Sequence, residues 1–277
     1  MSRAVHRVRL DIAYDGTDFS GWAKQPRRRT VEGELERALS TIAQTPVRTV
    51  VAGRTDAGVH ASGQVAHVDL PVDIPVNERL ARRISTLTAP DGDCVVTAAT
   101  VAPEGFDARF SALFRRYEYR IVNEVIDPLT RRIATYVPRR IELQHLQAAA
   151  SLFVGLHDFA AFCKPRVRAT TIRSLQDFTW SQTGHLFTAR LQADAFCHSM
   201  VRSLVGASLA VAEGKINLAQ AEALLTMPAR SGLFRALPAV GLTLMEVGYP
   251  EDALLAEQAQ LTRARRELPG DDDPAGE

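Results

Sequence analysis

The sequence is poor in cysteine and lacks a long hydrophobic run. Its three cysteines, Cys94, Cys163 and Cys197, are far apart and odd in number, which argues against a disulfide framework and against a CxxC metal site. We therefore expect buried, reduced thiols. No apolar run approaches the length of a membrane span, and the first residues lack the hydrophobic core of a signal peptide. We expect a cytoplasmic protein.

Lysine is also scarce, and the chain has 3 lysines against 30 arginines. The formal net charge is +1, but four acidic residues lie in a terminal Gly/Asp/Pro stretch, at 271–273 and 277. Without them the chain has 33 basic and 28 acidic residues, a net charge of +5. Arginine has a planar fork that suits phosphate groups and stacks on bases, which weakly favours a nucleic-acid partner. Genome base composition alone can produce the same bias.

Strand and helix patterns alternate along the whole chain. Residues 8–14 alternate between apolar and other side chains, which predicts a strand with one covered face. Thr30 and Asn77 are placed to begin helices. Further strands are predicted at 94–101, 113–121, 171–180, 186–193 and 240–247, and further helices at 143–153 and 218–227.

Two prolines, Pro128 and Pro138, bracket a connection that we take as the joint between two halves. This gives an N-terminal half, 1–125, and a C-terminal half, 126–250. Residues 251–277 form a tail that we predict to be partly disordered because of its Gly, Asp and Pro content.

The most informative stretch is 52–69, which reads AGRTDAGVHASGQVAHVD. It lies between two apolar, β-branched runs, so residues 54–63 are predicted to form a loop between strands. Its three glycines allow left-handed backbone and the close approach of another group. Arg54 and Asp56 carry the chemistry of this loop. For Asp56 the alternative is structural, because an Asp beside Gly commonly forms an Asx-turn.

This string closely resembles the signature of the bacterial tRNA pseudouridine synthase A family, in which the Asp of G-R-T-D-A-G-V-H is the nucleophile. The resemblance implies that Asp56 is the nucleophile. It also implies that Arg54 holds the flipped target nucleotide or fills the gap that it leaves in the stem. We expect His60 and Gln64, from the same string, to contact the substrate.

The segment 14–25 reads YDGTDFSGWAKQ and is similar to a Y-D-G-T-x-F-x-G-W-Q-x-Q segment of the family. Phe19 and Trp22 are of the types that stack on bases, and nearby basic residues are of the types that hold a nucleic-acid backbone. For the arginines alone, a solvated run of charge is the alternative. The basic residues assigned to phosphate binding are Lys24, Arg27, Arg28 and Arg29.

Two motifs of the same family, F-x-A-R-F-S-A and R-R-Y-x-Y, are matched at 106–121. A period of two places Tyr117, Tyr119 and Ile121 on one face of a strand. In the family the first Tyr of the pair contacts the target uracil. Tyr117 is therefore expected to pack on the base and to be placed for proton transfer at C5, while Tyr119 is predicted to be a core residue.

The stretch 194–206 reads DAFCHSMVRSLVG and is similar to the family motif A-F-x-x-x-M-V-R. A helix that began at His198 would place His198 and Arg202 on one stripe near its N-terminus. Taken alone, Arg202 fits a surface ion pair. The resemblance implies instead that Arg202 pairs with Asp56 and keeps that carboxylate ionised, as a nucleophile requires. His198 is expected to contact the substrate.

The resemblance extends in blocks over residues 5–250 and implies an α+β fold. Two mixed halves, each with an antiparallel sheet flanked by helices, would face each other across a basic cleft. It implies a homodimer that acts on tRNA, at uridines 38 to 40 of the anticodon stem-loop. The reaction breaks the C1′–N1 bond and joins C5 to C1′ without redox change or hydrolysis. No cofactor and no metal are therefore expected, in agreement with the lack of a Walker loop or a GxGxxG motif.

Two other functions are compatible with parts of the sequence. A noncatalytic RNA-binding protein would keep the basic cleft, but it would gain nothing from retaining Arg54, Asp56, Tyr117 and Arg202 together. An aspartyl-nucleophile hydrolase would use water as the acceptor and release free uracil. We rank the hydrolase last because no motif places a second carboxylate to activate water.

Overall fold

A computed structural model describes residues 4–89, 91–124, 127–165 and 170–263. The helices within these ranges are α1 (Val31–Ala43), α2 (Glu78–Thr88), α3 (Leu143–Leu152), α4 (Met200–Ala212), α5 (Leu218–Ala223) and α6 (Leu255–Arg263). The strands are β1 (Val5–Tyr14), β2 (Thr49–Val51), β3 (His60–Pro71), β4 (Cys94–Val101), β5 (Phe114–Val122), β6 (Thr135–Tyr136), β7 (Gly155–Asp158), β8 (Ile172–Thr183), β9 (Leu186–Ala193) and β10 (Leu242–Gly248). The fold is α+β. Among the described residues, no helix is both long and apolar enough to cross a membrane.

The chain divides into two compact units. Unit 1 comprises Met1–Glu118 and Ala239–Arg263, and unit 2 comprises Tyr119–Pro238. β5 therefore begins in unit 1 and ends in unit 2. The division expected from the sequence differs from this one, because it ended the first half at residue 125 and assigned 239–250 to the second half. β10 returns to unit 1, where it pairs with β3.

The strands of unit 1 follow the order β4-β1-β3-β10-β5, and β2 also pairs with β3. β1 is antiparallel to both of its neighbours, with Val8 opposite Val68 and Leu10 opposite Ala99. β10 runs parallel to β3, with Thr243 opposite His60. The sheet is therefore mixed rather than purely antiparallel, because β10 returns from a distant part of the chain and is not joined to β3 by a hairpin.

The core of unit 1 follows from the alternation predicted for β1, whose residues Val8, Leu10 and Ile12 are at most 1% exposed. α2 packs on β4, and α1 packs on α2. Both helices begin where the sequence predicts, because the side chains of Thr30 and Asn77 accept hydrogen bonds from backbone N–H groups of the first turn.

The strands of unit 2 follow the order β5-β9-β8-β7. β8 and β9 form the predicted hairpin, with Gly184 at a φ of 56° in its turn. α3 packs on β8 and on α4, and ten of the 13 residues of α4 are buried. Phe153 lies at the centre of an aromatic cluster, with its ring centroid 5.1 Å from that of Phe162 and 6.5 Å from that of Phe178.

Unit 2 also contains a disulfide between Cys163 and Cys197, whose Cα atoms are 5.8 Å apart. The expectation of reduced thiols is therefore wrong for this pair. The two residues are 34 positions apart in sequence, so only tertiary folding reveals that they are neighbours. Cys94 is free and buried, as expected.

The first part of the predicted tail forms α6, which belongs to unit 1 and packs on other residues of that unit. Leu255 and Ala259 are at most 3% exposed, and the Leu255 carbonyl accepts a hydrogen bond of 3.0 Å from Ser111 Oγ. Arg263 lies over the Phe110 ring, 4.5 Å from its centroid. The acidic stretch at 271–277 lies outside the described residues.

Candidate active site

The loop that carries Asp56 spans residues 52–59, between β2 and β3. The loop predicted from the sequence was longer, since residues 60–63 belong to the start of β3. Arg54 is exposed and Asp56 is half-buried. Both side chains of chemical interest therefore lie where a ligand can reach the loop.

A neighbouring segment, 15–22, presses closely against this loop in unit 1. The Trp22 N–H donates to the Thr55 carbonyl at 3.0 Å, and the Gly58 N–H donates to the Phe19 carbonyl at 3.3 Å. Gly21 has a φ of 89°, and a Cβ there would lie 2.9 Å from the Thr55 oxygen. The close contact therefore requires glycine at position 21. This explains part of the D-G-T-x-F-x-G-W pattern.

Buried side chains hold the loop from the sheet side. Tyr14 Oη is 2.8 Å from Thr55 Oγ1, and Gln64 Nε2 donates to the Gly53 carbonyl at 2.8 Å. Gln64 is 0% exposed and also donates to Tyr14 Oη at 3.3 Å. The structure thus places Gln64, expected from the sequence to contact substrate, under the loop that carries Asp56.

His60 is buried in the same way, at 3% exposure. Its Nδ1 accepts a hydrogen bond of 3.1 Å from the Gly16 N–H and lies 3.1 Å from an Asp15 carboxylate oxygen. These contacts join the first residue of β3 to the segment 15–22. His60, like Gln64, lies inside unit 1 and contacts the elements that position Asp56.

Tyr117 lies on β5 with only 7% of its surface exposed. Burial raises the pKa of its phenol well above the usual value of 10, the positive charge of Arg115 lowers it, and the negative charge of Asp56 raises it. These interactions place Tyr117 in the electrostatic neighbourhood of Asp56, and they keep the phenol protonated at neutral pH. Tyr119 is a core residue as predicted, at 0% exposure.

Arg202 and His198 belong to unit 2. Arg202 Nη1 donates to the Leu237 carbonyl and Nη2 donates to Ser199 Oγ, both at 3.1 Å. α4 begins at Met200, after Ser199 at a φ of 67°, so His198 precedes the helix rather than opening it. Its carbonyl accepts a hydrogen bond of 3.0 Å from the Lys164 N–H.

The basic cluster 27–29 is divided by the fold. Arg29 makes two hydrogen bonds to Asp93, at 2.5 and 2.8 Å, and stacks over Phe19 at 4.1 Å from the ring centroid. Arg27 and Arg28 are exposed. Arg29 is thus engaged within unit 1, whereas Arg27 and Arg28 are presented to solvent.

The other residues predicted at this surface behave differently from one another. Lys24 is exposed, and its Nζ lies 3.5 Å from a Glu36 carboxylate oxygen. Phe19 and Trp22 are 3% and 0% exposed, so the expectation that they stack on bases is wrong. The Tyr14 and Trp22 ring centroids lie 6.2 Å apart. Phe19 and Trp22 are therefore core residues that support the Asp56 loop.

Reasoning from the sequence missed the contributions of Tyr14, Gly21 and Arg115 to this site. A signal existed for Arg115, because it lies two residues before Tyr117 on a strand and therefore on the same face. Within the described ranges, no group of three His, Cys, Asp or Glu side chains is placed to hold a metal ion.

Comparison with known proteins assigns the chain to a class and then to a family. The family described as tRNA pseudouridine synthase matches residues 149–250. This match places the C-terminal part of the chain in the class of RNA-modifying isomerases.

The full-length relatives are more specific. A tRNA pseudouridine synthase A of Leifsonia xyli is 48% identical, over 97% of this chain and 100% of its own length. The tRNA pseudouridine synthase A of Streptomyces griseus is 51% identical, over 95% of each chain. That of Mycobacterium leprae is 49% identical, over 94% of this chain and 95% of its own. The chain belongs to the tRNA pseudouridine synthase A family.

Proposed function

We propose that the protein converts uridine to pseudouridine at positions 38 to 40 of the tRNA anticodon stem-loop, with Asp56 as the nucleophile. The observation that carries this proposal is the setting of Asp56. Its loop is fixed by hydrogen bonds on two sides, and its charge acts on the buried phenol of Tyr117. A carboxylate on a loop that is held by hydrogen bonds, within electrostatic reach of an aromatic side chain, is suited to covalent attack on a base that packs on that side chain.

The target uridine lies in a stem and must leave the base stack before Asp56 can reach it, at a cost of a few kcal/mol. Arg54 is exposed on the same loop, which supports its assignment to the flipped nucleotide or to the gap in the stem. Lys24, Arg27 and Arg28 are proposed to hold the phosphate backbone. Arg29 is better assigned to stability, since it is bound to Asp93.

The Asp56 carboxylate adds to C6 of the uracil or displaces N1 from C1′, and forms a covalent adduct in either case. The C1′–N1 bond breaks, the base turns and C5 bonds to C1′. The bond from Asp56 then breaks and regenerates the carboxylate, while C5 loses its proton to solvent and N1 gains one, so the product is an isomer of uridine. Tyr117 packs on the ring as a neutral phenol, because its pKa is raised by burial. Transfer of the C5 proton through its oxygen would therefore need a second base to receive the phenol proton.

Arg202 is proposed as the charge partner of Asp56, and His198 as a substrate contact. Gln64 and His60 are proposed to act on the substrate through the loop, because Gln64 is buried beneath it and His60 is buried against the segment 15–22 that packs on it. We further propose a cytoplasmic homodimer that requires no metal. These assignments are supported by the family resemblance and by near full-length relatives.

The test is release of tritium from [5-³H]uridine-labelled tRNA in the presence of EDTA. Wild type should release tritium, and Asp56→Asn should lower the rate by about 10⁴-fold or more while tRNA binding is retained. The matched control is Asp18→Asn, which changes an exposed acid in the neighbouring segment and should leave the rate unchanged.

Stem-loops with a single labelled uridine at position 38, 39 or 40 test the site of modification. Binding without tritium release by wild type would favour the noncatalytic RNA-binding protein. Free uracil as a product would favour the hydrolase. Release that disappears in EDTA would contradict the metal-independent mechanism.

A further inference from the structure

Arg115 lies deep in unit 1, where an arginine is rarely found unless partners satisfy its guanidinium. Only 5% of its surface is exposed, and it shares one face of β5 with Tyr117, two residues further on. Its neighbour Arg116 points to the opposite face, where it pairs with Glu246. The two adjacent arginines of R-R-Y-x-Y therefore have different surroundings.

The buried guanidinium joins two separate segments of backbone. Arg115 Nη2 donates to the Ala52 carbonyl at 2.7 Å and to the Arg109 carbonyl at 2.6 Å. Ala52 is the first residue of the loop that carries Asp56. A Cβ on Gly53 would lie 4.0 Å from Arg115 Cγ and Nε, so the arginine side chain runs alongside the root of that loop.

The same guanidinium acts on the candidate catalytic tyrosine. Its positive charge lowers the pKa of Tyr117 and thereby opposes part of the effect of burial. It acts in the same direction on Tyr249, whose Oη donates to the Ala108 carbonyl at 2.7 Å. Arg115 thus connects the loop of Asp56, the strand of Tyr117 and the segment 108–109.

We propose that Arg115 is a positioning residue for the isomerisation, which fixes the root of the Asp56 loop relative to the Tyr117 ring through its two backbone carbonyl contacts. The inference rests on the proposed function, in which both side chains act on one uracil. Both carbonyls accept from one nitrogen, Nη2. Lysine cannot place its ammonium there without a shift, because its side chain is one bond shorter and lacks the rigid guanidinium plane that fixes the position of Nη2. A displacement of about 1 Å at such a site can lower the rate about 100-fold.

The experiment compares Arg115→Lys with Arg116→Lys, which makes the same change on the other face of β5. Single-turnover tritium release and tRNA affinity are measured for both, together with amide hydrogen exchange of the loop 52–59 and of β3. For Arg115→Lys we expect a rate about 30- to 100-fold lower, tRNA affinity within about twofold and faster exchange confined to the loop. Arg116→Lys should match wild type in all three. Arg115→Gln, which keeps one NH2 group on a shorter and uncharged side chain, is a second variant.

A wild-type rate in Arg115→Lys would overturn the inference. It would also be overturned if rate, affinity and exchange throughout unit 1 changed together, or if neither Arg115 variant folded, since the arginine would then be only structural. Absence of tritium release from wild type would instead refute the proposed function. The exchange comparison needs no activity, so it separates these two failures.

Discussion

In unit 1 the candidate nucleophile, Asp56, lies on a loop, whereas in unit 2 its proposed charge partner, Arg202, lies in the first turn of helix α4. The loop at 52–59 is bound by backbone groups of 19–22 and by the side chains of Gln64 and Arg115. Arg202 is held at its own guanidinium, by Ser199 three residues earlier and by the Leu237 carbonyl.

The difference shows two ways of placing a polar group. Asp56 depends on close packing between segments that are distant in sequence, so substitutions that change shape should displace it. Arg202 depends on its place in the first turn of α4 and on one distant carbonyl, that of Leu237, so its substitution should change charge with less effect on the fold. The following predictions are ordered by the size of the expected effect.

Arg202→Met should lower the rate of tritium release by about 10²- to 10³-fold, because it would remove the charge that is proposed to pair with Asp56. tRNA affinity and urea unfolding should stay close to wild type. Arg190→Met changes an exposed arginine of the same unit and serves as the control. A rate within a few-fold of wild type in Arg202→Met would contradict the proposed pairing with Asp56.

Gly21→Ala should lower the rate about 10- to 100-fold by displacing the Asp56 loop, because the new Cβ would meet the Thr55 oxygen at 2.9 Å. Gly184→Ala is a matched control, since Gly184 also has a positive φ but a Cβ there would meet nothing within 4 Å. The positive φ alone should destabilise each variant by about 1–2 kcal/mol, and the contact with the Thr55 oxygen adds to this cost in Gly21→Ala. Equal rates in the two variants would show that loop packing does not position Asp56.

Arg27 and Arg28 should differ from Arg29 in what they support. The double variant Arg27→Gln/Arg28→Gln should weaken tRNA binding and lower the slope of log affinity against log salt by about two. Arg29→Gln should instead lower the free energy of unfolding by about 1 kcal/mol, a modest value because its pair with Asp93 is partly exposed. Filter binding at several salt concentrations and urea unfolding measure the two effects. A smaller salt slope in Arg29→Gln alone would reverse these assignments.

Alkaline pH should destabilise the protein through its buried tyrosines. Burial raises the pKa of Tyr14, Tyr117 and Tyr249 in unit 1 and of Tyr119 in unit 2. Near pH 10 these phenols ionise in the unfolded chain but stay protonated in the folded chain. Their contribution to the free energy of unfolding is therefore complete below about pH 10 and is lost as pH rises further.

Tyr117→Phe should reduce the slope of unfolding free energy against pH by up to about 1.4 kcal/mol per unit above pH 10. Urea unfolding between about pH 8 and pH 11 measures this slope, with Tyr119→Phe as the comparison from unit 2. No change in slope for Tyr117→Phe would mean that its phenol ionises equally in the folded and unfolded chains.

Several elements could be predicted from local sequence because their causes are local. α1 and α2 begin at side chains that cap their own first turns, and the β8–β9 hairpin follows from a turn at Gly184 between two apolar runs. The alternation in β5 predicts the buried face of Tyr117 and Tyr119. Each of these signals lies within a few residues, so no knowledge of the fold is required.

Other features could not be predicted in this way. The disulfide joins residues 34 positions apart, Arg29 and Asp93 are 64 apart, and Arg115 and Ala52 are 63 apart. No local pattern specifies such a partner, and the same residue types often remain solvated at the surface.

The sequence by itself determined the family and suggested the residues that are proposed to carry the chemistry, because contiguous motifs around Asp56, Tyr117 and Arg202 match those of the family in residue type and spacing. Only the tertiary structure decided which neighbouring residues support the site. It buries Gln64 beneath the loop of Asp56, buries His60 against the neighbouring segment 15–22, and pairs Arg29 with Asp93. The physical reason is that burial and hydrogen-bond partners depend on segments that come together only when the chain is folded.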